Sequence, residues 1–429
     1  MTGARVSWRQ AIGLLSRNAR LYLASAALMG FTIFGGIYSL LMNLYLLRLG
    51  YGLEFIGVVN AAALLGWAVA CLPAGMLGRR WGSRRSMVAG MGITMAGYLL
   101  VPFCEIVPAG AGRAAWLIVS YLAGNIAISL YDVNSQPFLA ASSTPAERNH
   151  LFSLQAALWP LAGFAGSLIG GLLPGLFAGI LGTTTVDPGP YRYPLMISAA
   201  TLGIAVLALS ATKPVPGERA PAPVPDPAQA LPAARGGLLL IPLLGVVMLL
   251  QGSGEGAART FFNVYLDTAL HAPTARIGLL VAIAQLVAVP GALLMPAAAR
   301  RWGHRRVFSW GTIGVALGLL PLALVPQWAV AGLGYMAVIA FVSLTRAAVL
   351  VYLMEIMPVD RRATMSGVYT MAMGLSWSTV AAGGSRVITV LGYPFFFMAG
   401  AGLTAASAAA FALTARIVSI FPGTRKEHE

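Results

Sequence analysis

The feature that most constrains this chain is a series of apolar runs, each about 20 residues long, that recurs from one end of the sequence to the other. An α-helix of about 20 residues spans the roughly 30 Å hydrocarbon core of a bilayer. Only 10% of the 429 residues are charged, whereas soluble proteins have about 25%. We therefore predict an all-α membrane protein with twelve transmembrane helices. The predicted spans are about 21–47, 54–78, 86–108, 114–140, 151–181, 193–212, 237–268, 275–299, 307–326, 328–356, 363–390 and 393–420.

The basic residues are distributed unevenly between the two sides of the predicted membrane. The net charge is +15, yet only four of the 28 Lys and Arg residues fall in the predicted outer loops (Arg48, Arg113, Arg192 and Arg276). The opposite loops and the tails carry most of the others, which is the positive-inside pattern. We expect both termini in the cytoplasm and the chain in a plasma membrane, the inner membrane of a bacterium. The basicity thus reflects topology, and we expect no nucleic-acid partner.

The sequence contains two copies of one unit. The segment GRRWGSRRSM at 78–87 returns as ARRWGHRRVF at 299–308, and MNLYLLRLG at 42–50 returns as FNVYLDTAL at 262–270. Matches at a similar separation over several spans indicate that a six-helix unit was duplicated. The segment between the copies is rich in proline and poor in apolar residues, as in disordered or polyproline linkers. The predicted layout is an amphipathic cytoplasmic segment at 1–20, bundles at 21–212 and 236–420, a linker at 213–235 and a tail at 421–429.

The duplicated basic loops resemble a motif of the major facilitator superfamily (MFS), in which a glycine is followed by an acid, an arginine, a second glycine and a basic cluster. A basic residue, Arg79 or Arg300, stands where the family has its acid. The alternative interpretation is that these arginines only anchor the loops on the cytoplasmic side. The motif residues are Gly75, Arg79, Arg80, Gly82, Arg84 and Arg85, then Arg300, Arg301, Gly303, Arg305 and Arg306.

The resemblance covers essentially the whole chain. It implies two pseudo-symmetric six-helix bundles, a secondary transporter that works by alternating access, and basic loops that help to latch the cytoplasmic side. It also implies that spans 1, 4, 7 and 10 line a central cavity for a small-molecule substrate.

The seventh span carries polar residues where hydrocarbon is expected. Gln251, Glu255, Arg259 and Asn263 are spaced by four, so they share one helix face. An ionisable group at the bilayer centre costs roughly 2.5 kcal/mol or more, so it normally faces a partner or a cavity. We consider two interpretations. Either the ion pair only neutralises itself, or Glu255 carries a coupling proton while Arg259 adjusts its proton affinity or binds an anionic substrate.

Three glycines at 252, 254 and 256 flank this ion pair. Glycine lets two helices approach closely, and it also lets a membrane helix unwind locally. The sequence is compatible with either role for these glycines, close helix packing or local unwinding.

A second stripe of polar residues lies along one face of the fourth span. Asn125, Ser129, Asp132 and Gln136 are spaced so that they share one helix face. By the internal repeat, Asp132 lies at a depth similar to that of Arg346 in the tenth span. The sequence permits a gate between the halves made by Asp132 and Arg346, or a pair that simply satisfies both charges. The strongest charges inside the membrane therefore fall on three of the four spans that the resemblance assigns to the cavity.

The fifth span contains GFAGSLIGG at 163–171. It resembles the antiporter motif of the family through Gly166, Gly170 and Gly171, with Ser167 where the motif has proline. In the family this motif favours proton-driven efflux. The alternative interpretation is that the small residues only allow close helix packing.

From these features we predict a secondary active transporter that exports small amphipathic compounds and is coupled to protons. One alternative is uptake or exchange of an anionic or sugar-like solute. Another, of a different class, is an MFS-like protein that moves lipid or senses a ligand without transport. Two cysteines and four histidines form no metal-binding spacing, and no phosphate-binding loop followed by Lys and Ser or Thr is present. We expect a monomer in the lipid bilayer, with no enzymatic activity, metal or cofactor.

Overall fold

The computed structural model describes residues 16–143, 145–213, 235–357 and 362–420. The predicted amphipathic segment, linker and tail lie almost entirely outside these residues. All regular secondary structure in the described ranges is helical. The helices are α1 (Arg17–Thr32), α2 (Ile37–Arg48), α3 (Leu53–Trp81), α4 (Ser83–Leu100), α5 (Ala111–Ala141), α6 (Pro145–Leu181), α7 (Gly189–Ser210), α8 (Arg235–Thr268), α9 (Thr274–Trp302), α10 (His304–Leu324), α11 (Trp328–Ile356) and α12 (Arg362–Ile420), with a short 3₁₀ helix at Val101–Ile106.

Eleven runs of helix within the described residues are long and apolar enough to cross a membrane. The first run joins α1 and α2, and the last, at Met365–Thr414, lies within α12. Gly392 has a φ of 82° and divides α12 into two helices. The runs therefore accommodate the twelve predicted spans, and the prediction of an all-α, multi-pass membrane protein is confirmed.

The chain forms two compact units. The first comprises Met1–Tyr45 and Val69–Ala222, and the second comprises Leu46–Ala68 and Pro223–Glu429. In the first unit, α4 packs against α5 and α7, and α1 packs against α6 and α7. In the second, α8 packs against α12, while α9 and α10 both pack against α11. The end of α2 and the start of α3 belong with the second unit, and the rest of α1–α7 belongs with the first.

The first predicted span is broken in its middle, whereas its duplicate is continuous. α1 ends at Thr32 and α2 begins at Ile37, with Gly35 between them at a φ of 75°. The corresponding helix α8 continues without interruption through Glu255, the residue that aligns with Gly35. The same position of the repeat is therefore occupied by a backbone break in one copy and by an ionisable side chain in the other.

The duplicated Trp-Gly pairs form two equivalent tight turns. Gly82 separates α3 from α4 at φ 86° and ψ 146°, and Gly303 separates α9 from α10 at φ 77° and ψ 151°. Only glycine adopts this region of backbone space readily, because it has no Cβ. The glycines let the chain reverse between two membrane helices with a single residue, which explains why both copies keep a glycine after Trp81 and Trp302.

We predict that Gly303→Ala destabilises the protein through backbone strain alone. A Cβ at Gly303 would meet no atom within 4 Å, so the substitution introduces no clash. Strain of this kind costs about 1–3 kcal/mol, which should lower the thermal unfolding midpoint of the purified protein in detergent. Gly92→Ala is the matched control, since Gly92 lies inside α4 and its Cβ also meets open space. Equal midpoints for the two variants would show that the turn carries no strain.

Candidate functional site

The central feature of the second unit is a buried carboxylate in the middle of a membrane span. Glu255 lies at the midpoint of the apolar run Ile241–Thr268 and is 1% exposed. Gln251 and Asn263 on the same helix face are buried as well. Three of the four residues in the predicted stripe along α8 are therefore buried in the protein, and the fourth, Arg259, is partly exposed.

Two arginines share this carboxylate. Arg259, one turn along α8, donates from Nε to Glu255 Oε1 at 2.8 Å. Arg346 on α11 donates from a terminal guanidinium nitrogen to the same oxygen at 2.7 Å. The side chains of Arg259 and Arg346 nevertheless remain 36% and 45% exposed. With one negative and two positive groups, the cluster has a net charge of +1 and presents guanidinium surface away from the acid.

The glycines around Glu255 serve close packing and not unwinding, because α8 is helical throughout this segment. A Cβ on Gly252 would meet Ser376 at 2.9 Å, and one on Gly256 would meet Trp377 at 3.0 Å. Ser376 also donates to the carbonyl of Leu249 at 2.6 Å. These contacts hold α8 against α12 and so fix the position of Glu255.

Aromatic side chains surround the cluster. The guanidinium carbon of Arg346 lies 5.7 Å from the ring centroid of Trp377, within the range of a cation–π interaction. Tyr335 interacts electrostatically with Arg259 and Glu255, and Tyr369 interacts with Arg346 and Glu255. The cluster thus combines two cationic donors with aromatic faces, a surface suited to a planar or carboxylate-bearing ligand.

The other predicted cavity residues lie in the first unit, on α5. Asn125 donates to the carbonyl of Tyr121 at 2.9 Å, Asp132 is half-buried and Gln136 is exposed. Arg346 has its ion pair with Glu255, so a gate between Asp132 and Arg346 stays a prediction.

The basic-loop residues occupy mostly exposed positions at the turns that follow α3 and α9. Arg84 is an exception: it donates to Thr212 Oγ1 at 3.1 Å and to the carbonyl of Ser210, and so ties the start of α4 to the end of α7. Gly75 lies within α3. The exposed members are Arg79, Arg80, Arg85, Arg300, Arg301, Arg305 and Arg306. Their proposed role in latching remains a prediction.

The antiporter-like glycines pack against the break between α1 and α2. A Cβ on Gly166 would clash with the carbonyl of Phe31, and one on Gly170 would press on Ile37. Gly171 is buried. Ser167, which replaces the proline of the motif, donates its hydroxyl to the carbonyl of Gly35. This geometry supports the close-packing interpretation, and the direction of transport stays a prediction.

One strong ion pair in the second unit is not predicted from the sequence. Arg48 at the end of α2 forms two hydrogen bonds with Asp267 at the end of α8, one of them 2.8 Å long. The side chains are 17% and 10% exposed. The available signal was that these residues lie near the ends of the two duplicated segments 42–50 and 262–270, but the repeat does not show which side chains meet.

Among the described residues, no group of three or more His, Cys, Asp or Glu side chains is arranged to hold a metal ion.

The fold and the cluster together define a class. The chain is a multi-pass helical membrane protein of two duplicated units, with a charged site at mid-span, which is the organisation of a solute transporter. The model of the Major Facilitator Superfamily matches residues 23–254 and 244–427, and the chain belongs to this family. No curated protein matches the sequence.

Solved structures of transporters share the fold. A D-xylose–proton symporter superposes with a TM-score of 0.72 at 16% identity, covering 99% of this chain and 100% of that one. A mutant of the nucleoside transporter NupG gives 0.71 at 13% identity, covering 92% and 99%. The inward open xylose transporter XylE from E. coli gives 0.69 at 16% identity, covering 91% and 94%. At these identities the likeness shows the fold alone.

We predict that Arg48 and Asp267 stabilise each other strongly. Hydrogen bonds between charged groups are worth about 1.5–3 kcal/mol when partly buried, so a double-mutant cycle with Arg48→Gln and Asp267→Asn should give a coupling energy in that range. Thermal unfolding of the four proteins measures it.

The pair of His304 and Glu355 serves as the control for this cycle, because Glu355 is 52% exposed. Exposed pairs contribute about 0–1 kcal/mol. A coupling energy between Arg48 and Asp267 no larger than that of the control would contradict a structural role.

Proposed function

We propose that this protein is a secondary transporter for a small monovalent organic anion, and that it works by anion exchange through alternating access in a bacterial inner membrane. The observation that carries this proposal is the cluster of Glu255, Arg259 and Arg346, which has two exposed cationic donors on one buried acid. Planar guanidinium groups bind carboxylates in bidentate fashion. Glu255 holds both arginines in place and acts as their counter-ion.

The charge of the cluster favours exchange over net transport. Charged groups in the middle of a membrane are costly unless they are compensated or hydrated. A bound monovalent anion brings the cluster from +1 to neutral, so the loaded site closes away from water at low cost. The empty site keeps its charge and closes poorly. Reorientation therefore requires an anion on each crossing.

Proton-coupled export of amphipathic compounds, the leading prediction from the sequence, stays a prediction. An exporter of lipophilic cations needs an acid that is available to them, whereas Glu255 is held by two arginines. The net charge of the cluster also predicts when transport would involve a proton. A bound divalent anion leaves the cluster neutral only if Glu255 is protonated. Transport measurements with both classes of anion decide between these cases.

The first test of this function is ligand binding. A ligand present at a hundredfold excess over Kd should stabilise the purified protein by about 2.7 kcal/mol. We expect monovalent carboxylates to raise the unfolding midpoint, and sugars and lipophilic cations to leave it unchanged. Arg346→Gln removes one donor and should weaken carboxylate binding at least about tenfold, which is the effect of losing a hydrogen bond to a charged group.

Two variants control the binding test. Arg346→Lys keeps the charge and should retain part of the binding, while Arg386→Gln removes an exposed arginine of α12 that lies outside the cluster and should bind like the wild type. Stabilisation by lipophilic cations that is lost in Glu255→Gln would contradict anion binding and favour the export prediction. Anion binding of unchanged strength in Arg346→Gln would contradict the proposal that the anion binds at the cluster.

The second test uses the charge of the site. Glu255→Gln raises the cluster from +1 to +2, so the loaded site is neutral only with a divalent anion. In reconstituted vesicles we expect this variant to lose preference for monovalent over divalent carboxylates by at least about tenfold, since one unit charge near the ligand is worth more than 1.4 kcal/mol at protein-like dielectric. An unchanged preference would exclude Glu255 as the counter-ion of the bound solute.

The third test is the requirement for exchange. Labelled anion should enter wild-type vesicles rapidly when unlabelled anion is inside and slowly when it is absent. Rapid entry into empty vesicles would contradict exchange and would mean that another acid compensates the empty cluster. Asp132 is the candidate for that acid, and Asp132→Asn should then slow the entry.

A further inference from the structure

An apolar groove in the second unit is lined by residues outside the charged cluster. Its cavity volume is about 770 Å³. Helices α9 and α10 both pack extensively against α11 but much less against each other, so a gap opens between them with α11 as its floor. The residues that line the groove include Trp302 of α9, Arg306, Trp310, Ile313 and Leu317 of α10, and Phe341 of α11.

Glycines on α10 explain the depth of the groove. A Cβ on Gly314 would meet the ring of Phe341 at 2.6 Å, and a Cβ on Gly311 would clash with the methyl group of Thr345. The missing side chains let α10 lie directly on α11 beside the groove. Large apolar side chains, including Trp310 at 71% exposure and Leu317 at 58%, border the opening. In a membrane-spanning helix, such exposed apolar surface faces acyl chains.

The charge at one end of the groove identifies the kind of lipid. Arg306 lines that end, next to Trp302, and the turn there also carries Arg300, Arg301 and Arg305. No acidic side chain in the part of the chain that the structure describes forms an ion pair with Arg306. Tryptophan is typical of the membrane interface, and arginines at the head of a groove between membrane helices attract anionic head groups.

The dimensions of the groove fit one leaflet. Leu317 is roughly 16 Å further along α10 than Arg306, which is about half of the hydrocarbon thickness of a bilayer. A phospholipid with its phosphate at Arg306 would therefore lay an acyl chain along the groove and end near the bilayer centre. A soluble anion would meet Arg306 but would leave the apolar part of the groove empty.

We propose that this groove is a binding site for one anionic phospholipid, with Arg306 on the head-group phosphate and an acyl chain between α9 and α10. The proposal does not rest on the anion transport proposed above: the groove opens between α9 and α10 and shares no residue with the cluster, although α11, its floor, also carries Arg346.

The test is native mass spectrometry of the delipidated full-length protein with phosphatidylglycerol or phosphatidylcholine of identical acyl chains. Wild type should bind one phosphatidylglycerol in preference to phosphatidylcholine. Arg306→Gln should lower that preference about fivefold, the contribution of one arginine near a charged lipid surface. Arg305→Gln removes the neighbouring exposed charge, which does not line the groove, and should leave the preference nearly unchanged.

A second pair of variants tests the apolar part. Ile313→Trp fills the groove and should reduce the binding of phosphatidylglycerol, whereas Leu207→Trp enlarges an exposed side chain on α7 and should not. Glycerophosphoglycerol, the head group without acyl chains, should not compete with the lipid. Any one of four results would overturn the proposal. These are equal binding of the two lipids by wild type, equal effects of Arg305→Gln and Arg306→Gln, competition by the free head group, and a dimer mass that is lost in Ile313→Trp.

Discussion

The interaction on which the second unit depends is the sharing of one buried carboxylate by two arginines. A lone carboxylate at the centre of a membrane span is costly, and removal of one partner from a buried ion pair typically costs about 3–5 kcal/mol. Arg259 comes from the same helix as Glu255, but Arg346 comes from α11, so the ion cluster joins two helices as well as neutralising the acid. The glycines that allow α8 to pack closely against α12 hold the side chain of Glu255 in this position. The same set of contacts therefore determines the position of Glu255 and the net charge around it.

The sequence predicted the parts of this arrangement that depend on a single helix. The length of the apolar runs predicts the spans, because both the rise of a helix and the thickness of a bilayer are fixed. The spacing by four predicts that Glu255 and Arg259 meet. The partnership of Glu255 with Arg346 could not be predicted in this way, since contact between α8 and α11 depends on how helices pack, and one sequence carries no information on which faces meet. The same limit applies to Arg48 and Asp267.

Glycine illustrates a second limit on predicting the structure from the sequence. A glycine within a membrane helix has several uses, including close packing, unwinding and tight turns, and its neighbours in sequence do not separate them. Gly252 and Gly256 proved to be packing residues, while Gly82 and Gly303 are turns that require a positive φ. The duplication was the informative signal for the turns, because two independent copies kept Trp-Gly at the same place. No equivalent signal was present around Glu255, whose counterpart in the first copy is a glycine.

That difference between the copies has a physical consequence. At the position that aligns with Glu255 the first copy has a broken helix, and Ser167 satisfies the carbonyl of Gly35 that the break releases, as backbone groups within a membrane require. The second copy has a continuous helix and an ion cluster at the equivalent position. Polar groups at this repeat position are thus satisfied by a neutral hydrogen bond in one copy and by charged groups in the other. At this repeat position only the charged cluster can respond electrostatically to an ionised solute or a proton, so under the function proposed above the cluster in the second unit is the part that senses the solute.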